Sequence, residues 1–594
     1  MELKEVAKHH IITQAIQHSC VKSENSAMKF NVSVLVLDDV GLRIISSCCN
    51  ISDICDNGIT LVEDLLKVRE PLDLNAVYFL IPTQSSVAAL LSDFPLKGKT
   101  RYKAAHLNFT HACPDNIFNL LSKSLPMRKI VSMREINIAF IPFERQVFSL
   151  NCRETFQSCF NFLLDSAKTP QLDTLAFEIA SVCYVLNEYP SICYNKISNN
   201  KSALELAQLV MRELEKMKND KPCTGDNYEK IRSQLIIIDR SFDWISLILH
   251  ELTFQAMAHD NLLIKNNVFS FTENDDAQKE VVFDDEDEIW TELKHQHIYN
   301  VADILKNKLK NHVHPGYVSA NNVSQSTSAG GLSYVINKIS EQQKTLNNIT
   351  KYMGVLEKCM DFYGKHLADI CIFEQDLVMG KEATEDTITY DVKERLTSFL
   401  MDNNVSINNK MRLIILYILF MNGVSEDIFK ELVQNAQLPP DNIQTIINLN
   451  KLGVTTIVDE NYKKPPHKTK RKDRVDKNTF QVSRWTPKIK DIIEHCIENK
   501  LDPDEFSYAF VRDPSTINKK ASSSRYNATW YKGKDLKQYK PRIILFINGG
   551  VTYSEIRSVY EVSKNFKNWD IVIGSSHIIT PEDFLQNLSK LSEH

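Results

Sequence analysis

The sequence of 594 residues lacks a long hydrophobic run. Its longest apolar stretch, Leu413 to Met421, is far shorter than the roughly 18 residues that suggest a membrane-spanning helix. Residues Met1 to Glu5 also lack the charged-then-apolar layout of a signal peptide. With 43% apolar and 24% charged residues, the composition is that of a folded globular protein. These features exclude collagen-like, intrinsically disordered and integral membrane proteins.

An excess of basic charge is absent as well. Lys and Arg together number 70 and Asp and Glu 75, so the formal charge is −5. A general positive field for nucleic acid is therefore excluded, and no nucleic-acid partner is expected. One local basic stretch, residues 463–474, contains two prolines and predicts a solvated loop. Contact of this loop with acidic lipid or with an acidic partner is the alternative.

Patterns that predict disulfides or cysteine-bound metals are missing. The 13 cysteines are odd in number, and no Cys-x-x-Cys occurs. In a long chain without a visible secretion signal, this predicts a reducing compartment, here the cytoplasm. Cys48 and Cys49 are adjacent, and neighbours on a strand point to opposite faces, so we expect buried free thiols rather than metal ligands.

The motifs of common enzymes are absent too. There is no G-x-x-x-x-G-K-[ST], no G-x-G-x-x-G and no G-x-S-x-G. Gly549 and Gly550 lie between a strand and a helix pattern, where a tight turn is the preferred interpretation and an anion seat the alternative. His250 and Glu251 begin like a zinc-protease helix, but Phe254 occupies the place of the second histidine. We therefore predict a binding protein without cofactor or metal. An αβ enzyme that acts on a phosphorylated substrate is the alternative.

Alternating strand and helix patterns fill residues 1–137. Both faces of the strands are apolar, which indicates a parallel sheet covered by helices. Partners usually meet such sheets at the carboxyl ends of the strands, where Asp38 lies. The predicted strands are 32–37, 76–81, 104–109 and 136–141, and the predicted helices include 61–67 and 117–125.

The same alternation returns at the strand pattern 234–239 and near the C-terminus. There, the helical pattern 554–564 lies between the strand patterns 542–547 and 570–573. Between these stretches, residues 249–478 are helical in pattern and poor in strands, with a predicted mobile loop at 314–331 and a predicted solvated acidic run from Asp284 to Glu288. The predicted fold class is therefore α/β, with two parallel-sheet αβ domains and a large, mainly helical insertion.

One helical stripe rises above this background. Its spacings alternate between three and four, as in the seam of a coiled coil, and only Gln342 breaks them. Such a stripe predicts another helix against it, either one of this chain's own or one from a partner. A polar seam residue can select the register or the partner. The stripe consists of Leu332, Val335, Ile339, Leu346, Ile349, Met353, Leu356, Met360, Tyr363 and Leu367.

Seven segments, in this order and at these separations, carry a family resemblance. They are ISSCC at 45–49, GITLVED at 58–64, REPL at 69–72, EINIAF at 135–140, HELTFQAM at 250–257, EQDL at 374–377 and SRWTP at 483–487. The chain resembles the syntaxin-binding proteins of the SM (Sec/Munc) family, and within it the exocytic, plasma-membrane branch. The similarity runs over essentially the whole length.

The resemblance implies a three-domain arch around a central cavity. Domain 1 would span 1–137, domain 2 would combine 138–248 with 479–594, and domain 3 would be the insertion 249–478. The implied function is that of a SNARE chaperone in exocytosis, with no chemistry of its own. It would clasp closed syntaxin and support assembly of the SNARE complex with a synaptobrevin-type vesicle SNARE. Membrane contact would be peripheral, at the plasma membrane and through syntaxin. An SM protein of Golgi or endosomal trafficking is the alternative.

The resemblance also assigns a cavity surface for the SNARE helix of syntaxin. The matching positions are Asp38, Leu42, Arg43 and Glu63. A charged rim around apolar contacts suits the orientation of a charge-patterned helix. Asn50 stands where the family often has lysine, which removes one ionic contact. For Arg43 and Glu63 the alternative is a surface ion pair, which contributes less than about 1 kcal/mol.

A second implied site is a pocket for the N-terminal peptide of syntaxin. An aromatic and two aliphatic side chains would form an apolar socket, and a carboxylate would pair with an arginine of the peptide. A plain core position is the alternative for Phe118. The matching residues are Cys113, Phe118, Ile130, Met133 and Glu135.

The stripe falls on the helical hairpin with which the family contacts SNARE helices. Leu346 and Met353 match contact positions, and Gln342 lies on the seam beside them. Close relatives carry proline where this chain has Ser340. Because proline in a helix interior costs about 3 kcal/mol, we expect this helix to extend more readily here.

Overall fold

The computed structural model describes residues 2–20, 32–95, 98–124, 129–160, 165–196, 202–220, 232–265, 267–273, 277–313, 329–382, 387–458, 471–472, 474–475, 479–512 and 540–591. The chain forms two compact units. The first comprises Met1–Phe242, His495–Val551 and Val559–Ile578, and the second Asp243–Glu494, Thr552–Ser558 and Ile579–His594. Both units are thus discontinuous in sequence, as an insertion predicts. The finer division into three domains stays a prediction.

The first sheet of the first unit has five parallel strands in the described part of the chain, in the order β2-β1-β3-β4-β5. Its inner strands are buried on both faces because helices cover both sides, as predicted. The strands are β1 (Ser33–Leu37), β2 (Ile59–Asp64), β3 (Asn75–Leu80), β4 (Ala105–Phe109) and β5 (Ile130–Glu135).

Two predictions in this region are wrong. Residues 61–67 were expected to be helical because their apolar residues recur at helical spacing, but the segment 59–64 is the edge strand β2. A strand was expected over 136–141, but β5 ends at Glu135. Asn137 has a φ of 55°, in the left-handed region, which breaks an extended strand there.

The other strands form a second sheet and a hairpin. The second sheet has the order β12-β8-β9-β13-β14-β7-β6, with parallel central strands and antiparallel pairs at both edges. β10 and β11 form an antiparallel hairpin in the second unit, which the predicted strand-poor region did not include. The strands are β6 (Ile141–Glu144), β7 (Val147–Ser149), β8 (Ser191–Asn195), β9 (Gln234–Asp239), β10 (Val268–Glu273), β11 (Ala277–Val282), β12 (Phe506–Phe510), β13 (Arg542–Asn548) and β14 (Asp570–Ser575).

The helices of the first unit before the insertion cover the two sheets. A π-helix, Ile12–Gln17, joins the first two of them. They are α1 (Leu3–Ile11), α2 (His18–Cys20), α3 (Asp39–Cys48), α4 (Ile51–Cys55), α5 (Gln84–Asp93), α6 (Asp115–Ser124), α7 (Thr155–Phe160), α8 (Asp165–Val185) and α9 (Ser202–Asp220).

The insertion is mainly helical, as predicted. Its longest helix, α14, departs from helical geometry at Gly364, where φ is 35°. The helices are α10 (Ile245–Ile248), α11 (Phe254–Asn261), α12 (Glu288–Leu293), α13 (Ile298–Val313), α14 (Ala329–Met379), α15 (Val392–Met401), α16 (Ile407–Met421), α17 (Glu426–Ala436) and α18 (Pro440–Ile447). The later helices are α19 (Lys488–Ile497), α20 (Tyr553–Asn565) and α21 (Pro581–Lys590).

The acidic run Asp284 to Glu288 was expected to be solvated throughout, but part of it is buried. Asp285 and Lys294 form a buried ion pair at 2.7 Å. Asp287 caps α12 with Oδ1, and its Oδ2 accepts hydrogen bonds from Asn348 at 2.9 Å and Tyr352 at 3.0 Å, both on α14. Two of these carboxylates therefore hold helices in place.

The two predicted loops lie largely outside the described residues. Of the loop 314–331, the structure describes the helical backbone from Ala329 onward. Of the basic stretch 463–474, Lys472 and Arg474 each pair with Glu494 at 2.8 Å. This end of the basic stretch is therefore attached to α19.

Candidate functional site

Asp38 organises the carboxyl end of the first sheet. It follows β1 and caps α3, and its Oδ1 accepts the N–H of Gly41 at 2.8 Å. Its Oδ2 accepts the N–H of Ile81 at 2.8 Å and the hydroxyl of Ser86 at 2.9 Å. Burial raises the pKa of this carboxyl, and the three hydrogen bonds oppose that shift. Asp38 is only 7% exposed. In the isolated chain Asp38 positions α3, and its contact with a partner stays a prediction.

The start of α3 presents the next two residues of the expected cavity surface. Gly41 approaches β3 so closely that a Cβ there would lie 2.5 Å from the carbonyl oxygen of Phe79. The helix is thus seated directly on the sheet, and the side chains that follow point outward. Leu42 is 42% exposed, and Arg43 pairs with Asp39 at 2.9 Å on the surface. Both are available to a partner.

Glu63 lies near the end of the edge strand β2, at the same end of the sheet. Leu37, just before Asp38, is in register with Asp64, just after Glu63. The Glu63 carboxylate accepts a hydrogen bond from the hydroxyl of Tyr102. Arg43 thus forms the surface ion pair that was its alternative, but with Asp39, while Glu63 is bonded to Tyr102.

Exposed apolar side chains lie near Glu63 along the chain, and sequence reasoning did not single them out. Leu61, Val62, Leu66 and Val68 are all at least 39% exposed. They lie on the edge strand and the turn after it. Several exposed large apolar side chains on one short segment are compatible with an interaction site. The β-branched and apolar run from Ile59 could have predicted the strand that carries them, because such residues favour a strand over a helix.

The residues of the expected peptide pocket lie on α6, just before it and on the edge strand β5. Glu135 Oε1 accepts the backbone N–H of Cys113 at 3.0 Å, which joins the strand to the turn before α6. Phe118 is 47% exposed and Met133 38% exposed. The alternative of a plain core position for Phe118 is therefore wrong.

A β-bulge brings the pocket residues of β5 to one face. Residues three apart on a regular strand point to opposite faces. Ile130 pairs with Ala105 and Met133 with Leu107, because the register shifts by one residue between Ala105 and His106. Paired residues of parallel strands share a face, so Ile130, Met133 and Glu135 all face the side that α6 covers. Resemblance identified these residues, but the spacing alone did not predict how they meet.

The long helix α14 buries a stripe that shares Ile349, Tyr363 and Leu367 with the predicted one and otherwise lies beside it. Its buried face is Ile349, Tyr352, Val355, Cys359 and Tyr363. Met353, expected on the buried seam, is 39% exposed, and Leu346 is half-buried. Both expected SNARE-contact residues thus lie beside the stripe that packs inside the unit. The side chains of Ser340 and Gln342 lie outside the described residues.

Comparison with known proteins decides the family. The family model described as "Sec1 family" matches residues 33–587. The chain belongs to the Sec1 family.

Its similarity to Sec1 relatives extends over nearly the whole chain. It is 30% identical over 614 residues to "Protein transport protein sec1" of Dictyostelium discoideum, covering 99% of each chain. It is 25% identical over 664 residues to "SNARE-interacting protein KEULE" of Arabidopsis thaliana, covering 99% and 96%. Among solved structures, the crystal structure of the Unc18–syntaxin 1 complex from Monosiga brevicollis matches with a TM-score of 0.83, 27% identity and full coverage of both chains.

In this Sec1-family chain, the turn at Gly549 and Gly550, which was the alternative anion seat, packs against protein side chains. Gly549 and Gly550 form the predicted tight turn, with φ near 108° and 107°. A Cβ on Gly549 would lie 2.9 Å from the ring of Phe160 and 3.0 Å from Cβ of Arg240. Arg240 is itself buried and donates to the Gly550 carbonyl at 3.1 Å. The predicted tight turn is thus observed, and it packs against Phe160 and Arg240.

Within the described ranges, His250, Cys371 and Glu374 bring potential metal ligands within 4.8 Å of one another. Glu374 already accepts hydrogen bonds from the ring of His250 at 2.9 Å and from its N–H at 3.1 Å. Burial and the nearby Glu374 raise the pKa of the Cys371 thiol well above its usual range. His250 and Glu374 of this cluster form a buried hydrogen-bonded pair. In the described part of the chain, no helix has the length and apolarity to cross a membrane.

Proposed function

We propose that this chain is a SNARE chaperone and regulator of vesicle docking and fusion in exocytosis. It binds a syntaxin in closed form and through its N-terminal peptide, and it supports assembly of the SNARE complex with a synaptobrevin-type vesicle SNARE. It does so as a binding protein, without catalysing a reaction. The observation that carries this proposal is the full-length similarity to the Unc18 chain that is bound to syntaxin 1 in the Monosiga structure.

The carboxyl end of the first sheet supports a syntaxin-binding surface. Leu42, Arg43 and Glu63 project there beside exposed apolar side chains of β2. A helix of the partner with an apolar stripe and flanking charges fits such a surface. Asp38 contributes by positioning α3.

The pocket between α6 and β5 supports a second contact, with the N-terminal peptide. Phe118 and Met133 offer an exposed apolar socket. Glu135 uses one carboxylate oxygen for the N–H of Cys113, and the other oxygen can accept from an arginine of the peptide. A third contact, through Leu346 and Met353 of α14, would serve the assembling SNARE helices.

The proposed domains are 1–137, 138–248 with 479–594, and 249–478. The proposed location is the cytoplasm, with peripheral recruitment to the plasma membrane through syntaxin. Similarity to proteins named for Sec1 favours the exocytic branch over Golgi or endosomal trafficking.

The test is co-elution and calorimetry with purified cytoplasmic regions of syntaxins, each with and without its N-terminal peptide. We expect micromolar or tighter binding to a plasma-membrane syntaxin and a measurable loss when the peptide is removed. Preference for a Golgi or endosomal syntaxin would support the alternative SM function. Binding to none of them would overturn the proposal.

A further inference from the structure

A chain of hydrogen bonds connects the core of the first unit to Glu63. It begins at Asp93, which is fully buried at the end of α5. Arg69 binds both oxygens of Asp93, at 3.0 and 3.2 Å, and donates to the hydroxyl of Tyr102 at 3.1 Å. The Tyr102 hydroxyl in turn donates to Glu63.

The direction of these hydrogen bonds is fixed by the donors present. A guanidinium can only donate, so the Tyr102 oxygen must accept from Arg69. The single hydroxyl proton of Tyr102 is then free to point outward, and the Glu63 carboxylate is its acceptor. The hydrogen bonds are therefore donated in one direction, from Arg69 to Tyr102 and from Tyr102 to Glu63.

The core end of this chain is held rigidly. Asp93 also accepts from the hydroxyl of Tyr78 at 2.8 Å and lies 2.8 Å from Nε of Arg101. Arg69 further donates to the carbonyl of Leu65 at 2.8 Å, which ties down the turn after β2. Tyr102 is 1% exposed and packs edge-on against Tyr78. Tyr102 thus has little freedom to move away from Glu63.

We propose that Tyr102 is a positioning residue for partner recognition, which holds the Glu63 carboxylate in one orientation on the edge strand. A long carboxylate side chain at a strand edge otherwise samples several rotamers, and ordering it on binding weakens association. With Tyr102 in place, the charge is oriented before the partner arrives. The inference rests on the proposed function, because it supposes that Glu63 meets syntaxin.

Two matched substitutions test it. Tyr102→Phe removes the hydroxyl that contacts Glu63, and Tyr78→Phe removes a hydroxyl from the same buried network without contact to Glu63. We expect Tyr102→Phe to weaken binding to a syntaxin cytoplasmic region about three- to tenfold, mainly through faster dissociation. We expect the Tyr78→Phe protein to bind like the wild type. Melting temperatures of the two variants measure how far each substitution affects the fold.

A second substitution avoids the core entirely. Glu63→Asp keeps the charge but shortens the side chain, so the carboxylate no longer reaches Tyr102. We expect a loss similar to that of Tyr102→Phe. In a Glu63→Ala background, which has no side-chain acceptor, Tyr102→Phe should have no additional effect, which a merely structural role would not produce.

The outcomes are distinguishable. Wild-type affinity of Tyr102→Phe or of Glu63→Asp overturns the inference and leaves the proposed function intact, provided that the wild type binds. Equal weakening by Tyr78→Phe and Tyr102→Phe also overturns it, since the effect would then belong to the fold. If the wild type binds no syntaxin, the proposed function itself fails.

Discussion

The carboxylate of Glu135 and the backbone N–H of Cys113 lie 3.0 Å apart and join the edge strand β5 to the turn before α6. Phe118 of α6 and Met133 of β5 are both exposed. In the proposed peptide pocket, Glu135 would both fasten the strand to this turn and offer a charge to the peptide, so its substitution should act in two ways.

Phe118→Glu combined with Glu135→Ala should weaken binding of a syntaxin N-terminal peptide more than about tenfold. The change places a charge in the apolar socket and removes the partner for a peptide arginine. Calorimetry with the peptide measures the loss. Val131→Glu, at a side chain 60% exposed on the same strand, is the matched control and should bind normally. Unchanged affinity of the double variant would refute the pocket.

Asp38→Ala and Arg43→Glu should separate stability from recognition. Asp38→Ala leaves buried donors without an acceptor and should lower the free energy of unfolding by about 2–4 kcal/mol. Arg43→Glu alters an exposed pair and should change stability by less than about 1 kcal/mol while weakening syntaxin binding. Thermal melts and calorimetry measure the two effects. A stable Asp38→Ala protein with lost binding would contradict the structural role given to Asp38.

Ser340→Pro should shorten α14 from its N-terminal side. The backbone is helical from Ala329, and proline in its interior removes a hydrogen bond and costs about 3 kcal/mol. Hydrogen exchange should therefore show protected amides across 332–345 in the wild type and in the Ser340→Ala control, and lost protection in Ser340→Pro. Absence of protection in all three proteins would count against an extended helix.

Glu178→Gln should stabilise the protein increasingly as pH rises. Burial raises the pKa of Glu178 to about 8, so the folded protein keeps this carboxyl protonated. The unfolded chain loses that proton above its ordinary pKa of about 4.5, so the wild type loses stability between pH 4.5 and 8. The neutral amide does not lose stability in this way. The Glu178→Gln protein should therefore have a free energy of unfolding up to about 3 kcal/mol higher than that of the wild type at pH 7.

Thermal midpoints from pH 5 to pH 8 measure this effect. The exposed Glu215→Gln on α9 is the control and should follow the wild type at every pH. A stabilisation by Glu178→Gln that is the same at pH 5 and pH 8 would show that the carboxyl is not held protonated.

The sequence predicted the inner strands well because their apolar runs are continuous. β9 begins and ends where the pattern placed it, at Gln234 and Asp239. The edge strand β2 was mistaken for a helix because its exposed side chains are apolar, so the alternation typical of a half-buried strand is missing. At this exposed edge, the hydrophobic pattern and the burial in the isolated chain disagree.

The site was harder to predict than the fold. Its residues came from resemblance, and their contacts depend on long-range pairs such as Tyr102 with Glu63 that no local pattern reveals. The stripe on α14 was predicted at the right period but on a rotated face, since Tyr352 and Val355 are buried and Met353 is not. Period is a local property, whereas the buried side depends on what packs against the helix.

The bulge in β5 has a consequence for how this protein can diverge. Losing one residue between Ile130 and Met133 would restore a regular ladder and leave Met133 and Glu135 on the face of Ile130, whereas pairing the present residues without the bulge would turn both to the far side of the sheet. Related chains that are one residue shorter at this point should therefore present the same side chains only where their strand is regular. A one-residue gap here is thus compatible with the same arrangement of side chains, provided that the bulge is lost with it.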